Sequence, residues 1–449
     1  MKFEFVQSNE YLTTHTGLTA IGALLSKTNL GARLNKAILP KNPSPDISNA
    51  DVMKSYLGLL CQGKSDFDHI EPFRQDDAFA LSLDIRDVPS SPTLRQRLDM
   101  AGASEWKEIL LEESADLLRR VKAPLTGVEL FVPSEGTKSL LPLDIDVSPF
   151  DNSGTKKEGV SRTYKGHDGF APIFSYLGKE GFGVHVELRA GSTHVQKDTD
   201  VFLRNSILNA RRVTDRPLLV RMDAGNDSYA NLKVCHSSET RADYIIKKNL
   251  RKEPRELWLT IAQDLGICCE EREGKKVYIG SMVVHEKGFE EPLRQVFRVI
   301  ERSIGRDGQI FLVPEIEVDV YWTSLRCSAS RVIELYRDHG TSEQYHSEIK
   351  TDLDLERLPA GKFATNNLIL HAGLLAYNLL RLIGQWSLEL PDAPIRNNVQ
   401  RRRIRTVIQN MIYHASRLVR HARKVKFAFG SYSPWFQTLR RVYQTILTC

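Results

Sequence analysis

The segment "LLPLDIDVSPFD", residues 140–151, places two carboxylates inside a run that is otherwise apolar. Leu141, Leu143 and Ile145 alternate with Asp144 and Asp146, so a strand here projects both aspartates from one face. Charge on a core strand is costly unless it is paired or used. The runs that follow, "FAPIFSYLG" and "GFGVHVELRAG", are short, apolar and separated by glycine-containing turns, which predicts three sequential antiparallel strands. "DVFLRNSILNARRV" then reads as an amphipathic helix and "RPLLVRMDAGND" as a fourth strand ending at Asp223. Three strands, a helix and another strand make an α/β core.

The rest of the chain divides by texture. Residues 1–130 read as helical, with Ser48 and Ser91 as N-caps and Gly102 as a stop. Residues 244–325 are β-rich, with "EPRELWLTIAQDLG" and "EEPLRQVFRVIERSI" as the helical pieces within them, and have the placement of an insertion. Residues 131–243 and 326–380 flank it as the two parts of the core, and residues 381–449 form a basic helical end. A chain of 449 residues exceeds one ordinary core. No run reads as a membrane span, "MKFEFVQSNE" lacks the apolar run of a signal peptide, and the expected location is the cytosol. Six scattered cysteines without a CxxC indicate neither a disulfide framework nor a zinc site.

Charge is distributed unevenly. From Pro394 to Cys449 there is no Asp or Glu and there are twelve Lys or Arg, among them Arg401, Arg402, Arg403 and Arg405. A block of one sign repels itself unless something neutralises it. Phosphates do so with counterion release, which makes nucleic acid the leading partner; a solvated tail or an acidic partner within the chain is the alternative.

"LYRDHGTSEQYHSEIKTDLD", residues 335–354, supplies a third carboxylate. At about 100° per residue, Tyr336, His339, Glu343, His346 and Lys350 share a helical face, and Glu348 and Asp338 point elsewhere. Gly340 is the weak point of that helix. Two strand aspartates and one helix glutamate, without a histidine–cysteine cluster, suit hard cations, Mg²⁺ or Mn²⁺ rather than zinc. Two such ions about 3.5–4 Å apart activate a nucleophile and stabilise the leaving oxygen in phosphodiester displacement.

These residues resemble bacterial insertion-sequence transposases of the DDE class, in the branch with a Tyr-x2-Arg-x3-Glu-x6-Lys motif. Tyr336, Glu343 and Lys350 stand at the motif spacings, with His339 in the arginine slot and Arg337 adjacent. Asp146, followed by Val147 and Ser148, matches the family's first-strand motif and is preferred over Asp144; Asp223 in "VRMDAG" matches the second, and "GTSEQYHSEIK" is similar to one subgroup's "GTAEQ" form. The resemblance implies an RNase H-like core interrupted by a β-rich insertion. Asp146, Asp223 and Glu343 would be catalytic and hold two Mg²⁺ or Mn²⁺ ions. The implied activity is cut-and-paste transposition: binding of terminal inverted repeats, nicking, and strand transfer into target DNA, by a homodimer in the DNA complex. Tyr336, Lys350, and either His339 or Arg337 would contact phosphate, and Arg401, Arg402, Arg403 and Arg405 would bind DNA. Trp322 is ordinary core on strand preferences, and by the resemblance is the place for an aromatic stacked on a flipped base. A stand-alone metal-dependent nuclease and a domesticated, non-catalytic DNA-binding protein are the alternatives.

Overall fold

A computed structural model describes residues 1–40, 45–132, 136–305, 308–391, 393–397, 399–422 and 424–449. Its centre is a mixed sheet. Strands β1 (Gly136–Val147), β2 (Ile173–Leu177) and β3 (Phe182–Glu187) form an antiparallel meander. Helix α1 (Thr199–Val213) crosses over to β4 (Leu218–Met222), and α2 (Tyr229–His236) to β5 (Asp243–Lys247). β4 runs parallel to β1, and β5 parallel to β4, giving the order β3-β2-β1-β4-β5. This is the RNase H-like core expected from the sequence. "LLVRM" in β4 is buried at every position, as a strand covered on both faces should be.

Beyond β5 the sheet continues through β6 (Ile267–Arg272), β7 (Lys275–Val284), β8 (Leu293–Ile304) and β9 (Ile310–Thr323), in the order β6-β7-β8-β9-β5. The β-rich stretch thus prolongs the core sheet, and β5, at its start, is a core strand. A helix at Arg255–Leu265 closes a separate small core that includes Trp258, Phe297 and Val320. The expected helix "EEPLRQVFRVIERSI" is instead β8. Leu293, Val296, Phe297 and Ile300 fit helical spacing, but the segment pairs with β7 over ten positions and with β9 on its other edge. Two ladders and β-branched side chains outweigh a local period.

The N-terminal region is helical between Leu18 and Arg120. Ser48 caps Asn49–Leu60 by accepting from the Asp51 amide, and Ser90, one residue before the expected cap, starts Ser91–Ala101. The C-terminal region differs from its expected helical form. It ends in the helix Phe436–Thr448, but a hairpin, Ser416–His421 with Lys424–Phe429, precedes it and pairs with Leu12–Thr13. The apolar alternation in "SRLVRH" and "KVKFAF" is the strand signal.

Helices α3 (Ala329–Arg337) and α4 (Ser342–Ser347) are separated by a 3₁₀ turn over Asp338–Thr341, which contains Gly340, and a π turn over Glu348–Asp352 follows. Helix α5 (Phe363–Leu388) is long and apolar enough to cross a membrane, contrary to the reading of the sequence, but its apolar window is 94% buried inside the protein. It anchors β3: the Asn378 amide accepts from the Gly183 N–H at 2.8 Å and donates to its carbonyl at 2.7 Å. Leu374 covers the same glycine so closely that a Cβ there would lie 2.2 Å from its Cδ1.

Two buried charge clusters tie these layers together. On β1, Asp144 is 1% exposed and accepts from Arg221 Nε and Nη2 of β4, both at 2.6 Å, and from His339 Nδ1 at 2.9 Å. Arg221 also donates to the Leu335 carbonyl at 2.6 Å, so sheet and helix segment are joined through one guanidinium. Burial opposes the charge on His339, yet its bond to Asp144 prevails and holds the imidazole above its ordinary range. In the second cluster Glu348, 2% exposed, takes Arg381 of α5 and Arg401.

Removing one partner of a buried pair costs about 3–5 kcal/mol. Glu348→Ala is therefore expected to lower the urea-unfolding free energy by roughly that amount, with Glu343→Gln, at an exposed position, close to wild type. Equal losses would contradict the structure. The stability that His339 adds over His339→Gln is full below the ordinary histidine pKa of about 6.5 and is lost as pH rises through the raised value. Urea unfolding of both proteins across that window should show the gap closing; a constant gap would show that His339 is not held protonated.

Candidate active site

Asp146 and Asp223 meet because of strand register. Ile145 of β1 lies beside Met222 of β4, and each aspartate is the next residue in its chain. Adjacent strands are about 4.8 Å apart, so the two carboxylates face one another at the carboxyl ends of the strands. Asp146 accepts from its neighbour's amide, Val147 N–H, at 2.8 Å, and its side chain keeps 21% of its surface exposed. His346 Nε2 of α4 lies 3.3 Å from Asp146 Oδ2, and His346 Nδ1 lies 3.1 Å from the Tyr176 hydroxyl. An ionised carboxylate only accepts, so Nε2–H donates to it, while Nδ1 pairs with the Tyr176 hydroxyl. Ser342 Oγ donates to the same carboxylate oxygen at 3.4 Å.

The two carboxyls are driven apart in proton affinity. Burial works against ionisation of Asp146, but His346 and the charge on His339 outweigh it and hold the group below the usual carboxylate range. Asp223 moves upward, through burial first and the Asp146 charge second. Asn226 fixes it by donating to Oδ1 at 2.6 Å, within the turn "DAGN". Two facing carboxylates that resist joint ionisation form a site that a divalent cation relieves.

Glu343 lies one residue after Ser342 on α4, exposed, with no hydrogen bond or ion pair among the described residues. Tyr164, in the loop between β1 and β2, locates it relative to the aspartates. Its hydroxyl donates to the Val147 carbonyl at 3.4 Å, and burial, then the charges of Asp146, Asp223 and Glu343, push its pKa up to about 12. The charges of all three carboxylates are thus felt at one phenol that the sequence did not single out; a lone tyrosine in a loop carries no spacing signal. Among the described residues no three His, Cys, Asp or Glu groups already enclose an ion position. The donor set, all carboxylate oxygen, nevertheless fits a hard cation held in an open cleft.

The other expected contacts fall in different places. Tyr336 packs on Tyr321 and His339, with ring centroids 4.7 and 5.7 Å away, and feels the charges of Asp223 and Asp146. His339 is buried on Asp144, so its imidazole is committed inside the protein, while Arg337 is exposed. Lys350 donates to the Pro149 carbonyl at 2.6 Å and lies over the Phe150 ring. Trp322 is 2% exposed and donates through Nε1 to Asp227 at 3.0 Å, which leaves no ring face for a base to stack on. Its strand preference describes it.

The arginines at 401–405 have partners within the chain. Arg401 donates to Glu348 at 2.7 Å and to Gln344 at 2.6 Å. Arg402 is buried, donating to Ser387 and lying over Trp435. Arg403 and Arg405 both pair with Asp352. Arg401 and Arg402 are thus committed to partners within the protein, whereas Arg403 and Arg405 share one carboxylate and keep about half of their side-chain surface exposed, 51% and 58%.

Three comparisons follow from this geometry. The family model described as "Transposase DDE domain group 1" matches residues 4–449. The cryo-EM structure of the piggyBac transposase synaptic complex with hairpin DNA is similar at 10% identity and a TM-score of 0.42, over 90% of this chain and 83% of that one. No curated protein sequence matches. With nearly its whole length matched by the family model, the chain belongs to the Transposase DDE domain group 1 family.

Proposed function

We propose that this protein moves an insertion sequence of bacterial type by cut-and-paste transposition, nicking DNA at terminal inverted repeats and joining the ends to target DNA. The observation that supports the reading is the strand register that sets Asp146 beside Asp223, with Glu343 on the helical segment that Arg221 fastens to the same sheet, in a chain of the transposase family. Transposases of the DDE kind use divalent metal ions. Asp146, Asp223 and Glu343 are the residues that would hold two Mg²⁺ or Mn²⁺ ions. Such ions, when bound, activate a water or 3′-hydroxyl and stabilise the leaving oxygen.

The chain's own residues supply orientation and charge. His346 and Ser342 aim the Asp146 carboxylate, Asn226 aims that of Asp223, and Asp144 with Arg221 and His339 keeps β1 and β4 in register beneath them. Tyr336 and Lys350, in the family's motif spacing, line the approach, and Arg337 is the exposed cation of that segment. His339 departs from the motif's arginine and takes a structural bond instead. An inactivated protein is the alternative that this departure favours, and the bond to Asp144 gives the histidine another explanation. Residues 1–130 and 381–449 would handle the DNA around the core of 131–243 and 326–380, with 244–325 as the insertion. Two protomers would hold the two ends, acting in the cytoplasm on the chromosome.

The test incubates the protein with Mg²⁺ and linear duplex carrying the element's ends. Wild type should nick and join; Asp146→Asn, Asp223→Asn and Glu343→Gln should each lower both by at least about a thousandfold, since the ions supply several kcal/mol. Retained cleavage and joining by Glu343→Gln would sink the assignment. Cleavage by wild type without any joined product would mark a stand-alone nuclease.

A further inference from the structure

The C-terminal hairpin carries basic side chains that have no ion pair among the described residues. Its register places Leu418 opposite Phe427 and Ser416 opposite Phe429 on one face, and Val419 opposite Lys426 and His421 opposite Lys424 on the other. The first face is turned inward: Ser416 and Leu418 are buried, and Phe429 packs against Phe436 with ring centroids 4.9 Å apart. The second face, with Arg417, His421, Lys424 and Lys426, is turned to solvent. Acidic groups reach the hairpin from two neighbouring elements. Glu10 pairs with Arg417, and Asp77, at the start of the helix Asp77–Leu83, pairs with Arg420 near the tip. Lys424 and Lys426 have no ion pair among the described residues, and Arg423 lies outside those residues.

We propose that this outer face is a docking surface for the phosphate backbone of duplex DNA. The inference rests on the transposase reading for its choice of polyanion and on the hairpin for the location. A two-stranded ribbon has the width to enter a DNA groove. The ribbon offers no Asn or Gln, the amides that read adenine bidentately, and the two described arginines are held by carboxylates. Its contacts therefore position DNA without reading its sequence. Lys424 and Lys426 stand two residues apart on one strand, about 6.7 Å, and reach separate phosphates.

The experiment measures binding of full-length protein to a labelled duplex by fluorescence anisotropy across a salt series. Each phosphate neutralised contributes about 0.9 to the slope of log affinity against log salt. The double variant Lys424→Gln with Lys426→Gln should flatten the slope by about 1.8 and weaken binding roughly thirtyfold near 0.15 M salt, and arginine at both positions should restore both. Wild-type slope and affinity in the glutamine variant would overturn the inference. So would loss of binding to polyglutamate with DNA binding unchanged, which would mark an acidic protein as the partner. Cleavage separates this inference from the one it rests on. If wild type binds DNA through the lysines but neither nicks nor joins it, the docking surface stands and the enzymatic reading falls. If wild type nicks and joins and the glutamine variant binds unchanged, the docking surface alone falls.

Discussion

The buried carboxylate of Asp144 fixes how the catalytic half of this protein is put together. Two cations, Arg221 and His339, compensate it, and they come from the neighbouring strand and from the turn between α3 and α4. Arg221 also holds the Leu335 carbonyl, so the helical segment that carries Glu343 is fastened to the sheet next to the strand that carries Asp146. Without this tie a segment containing a 3₁₀ turn at Gly340 would have little to set its position. The alternating aspartates of "LDIDV" thus do different work on one face. The deeper one secures the helix; the one nearer the strand end is left accessible.

A similar division separates the two glutamates of the helix segment. Glu348 turns to α5 and the C-terminal region, where Arg381 and Arg401 neutralise it, and Asp352 takes Arg403 and Arg405 one turn later. The C-terminal chain is therefore clamped to the back of the segment whose front faces the strand aspartates. Mutational damage at Glu348 would reach the active site through position rather than chemistry. An activity loss there is informative only beside a stability measurement.

How much of this was legible depends on whether the signal was local. The strands β1 to β4 and helix α1 announced themselves by apolar runs, turns and a 3.6-residue period, and the opposite facing of Glu343 and Glu348 followed from the wheel. That separation survives the 3₁₀ and π turns because both interruptions leave His339, His346 and Lys350 against the sheet. β8 was misread since its local period is helical and only its ladder partners, far along the chain, decide otherwise. The partners of the arginines at 401–405 were hidden for the same reason: a charge count shows sign and density, while Glu348 and Asp352 lie some fifty residues upstream. Tyr164 was invisible because its place among three carboxylates is made entirely by folding.

Charge accounting within the folded chain then points to function more sharply than charge counting along it. Burying an ionised group is tolerable when a partner comes with it, and Asp144, Glu348 and Asp352 each have one or more cations. Asp146, Asp223 and Glu343 depart from that pattern. Asp146 has an imidazole, a hydroxyl and a backbone N–H, Asp223 a side-chain amide, and Glu343 solvent, although the first two face each other. A fold that has matched Asp144, Glu348 and Asp352 with guanidinium groups leaves these three to be matched by something it binds. Three carboxylate donors select a hard multivalent cation for that place. The same accounting applied to the opposite sign pairs Arg401, Arg403 and Arg405 with carboxylates and buries Arg402, and it leaves Lys424 and Lys426, on a ribbon facing outward, without an ion pair among the described residues.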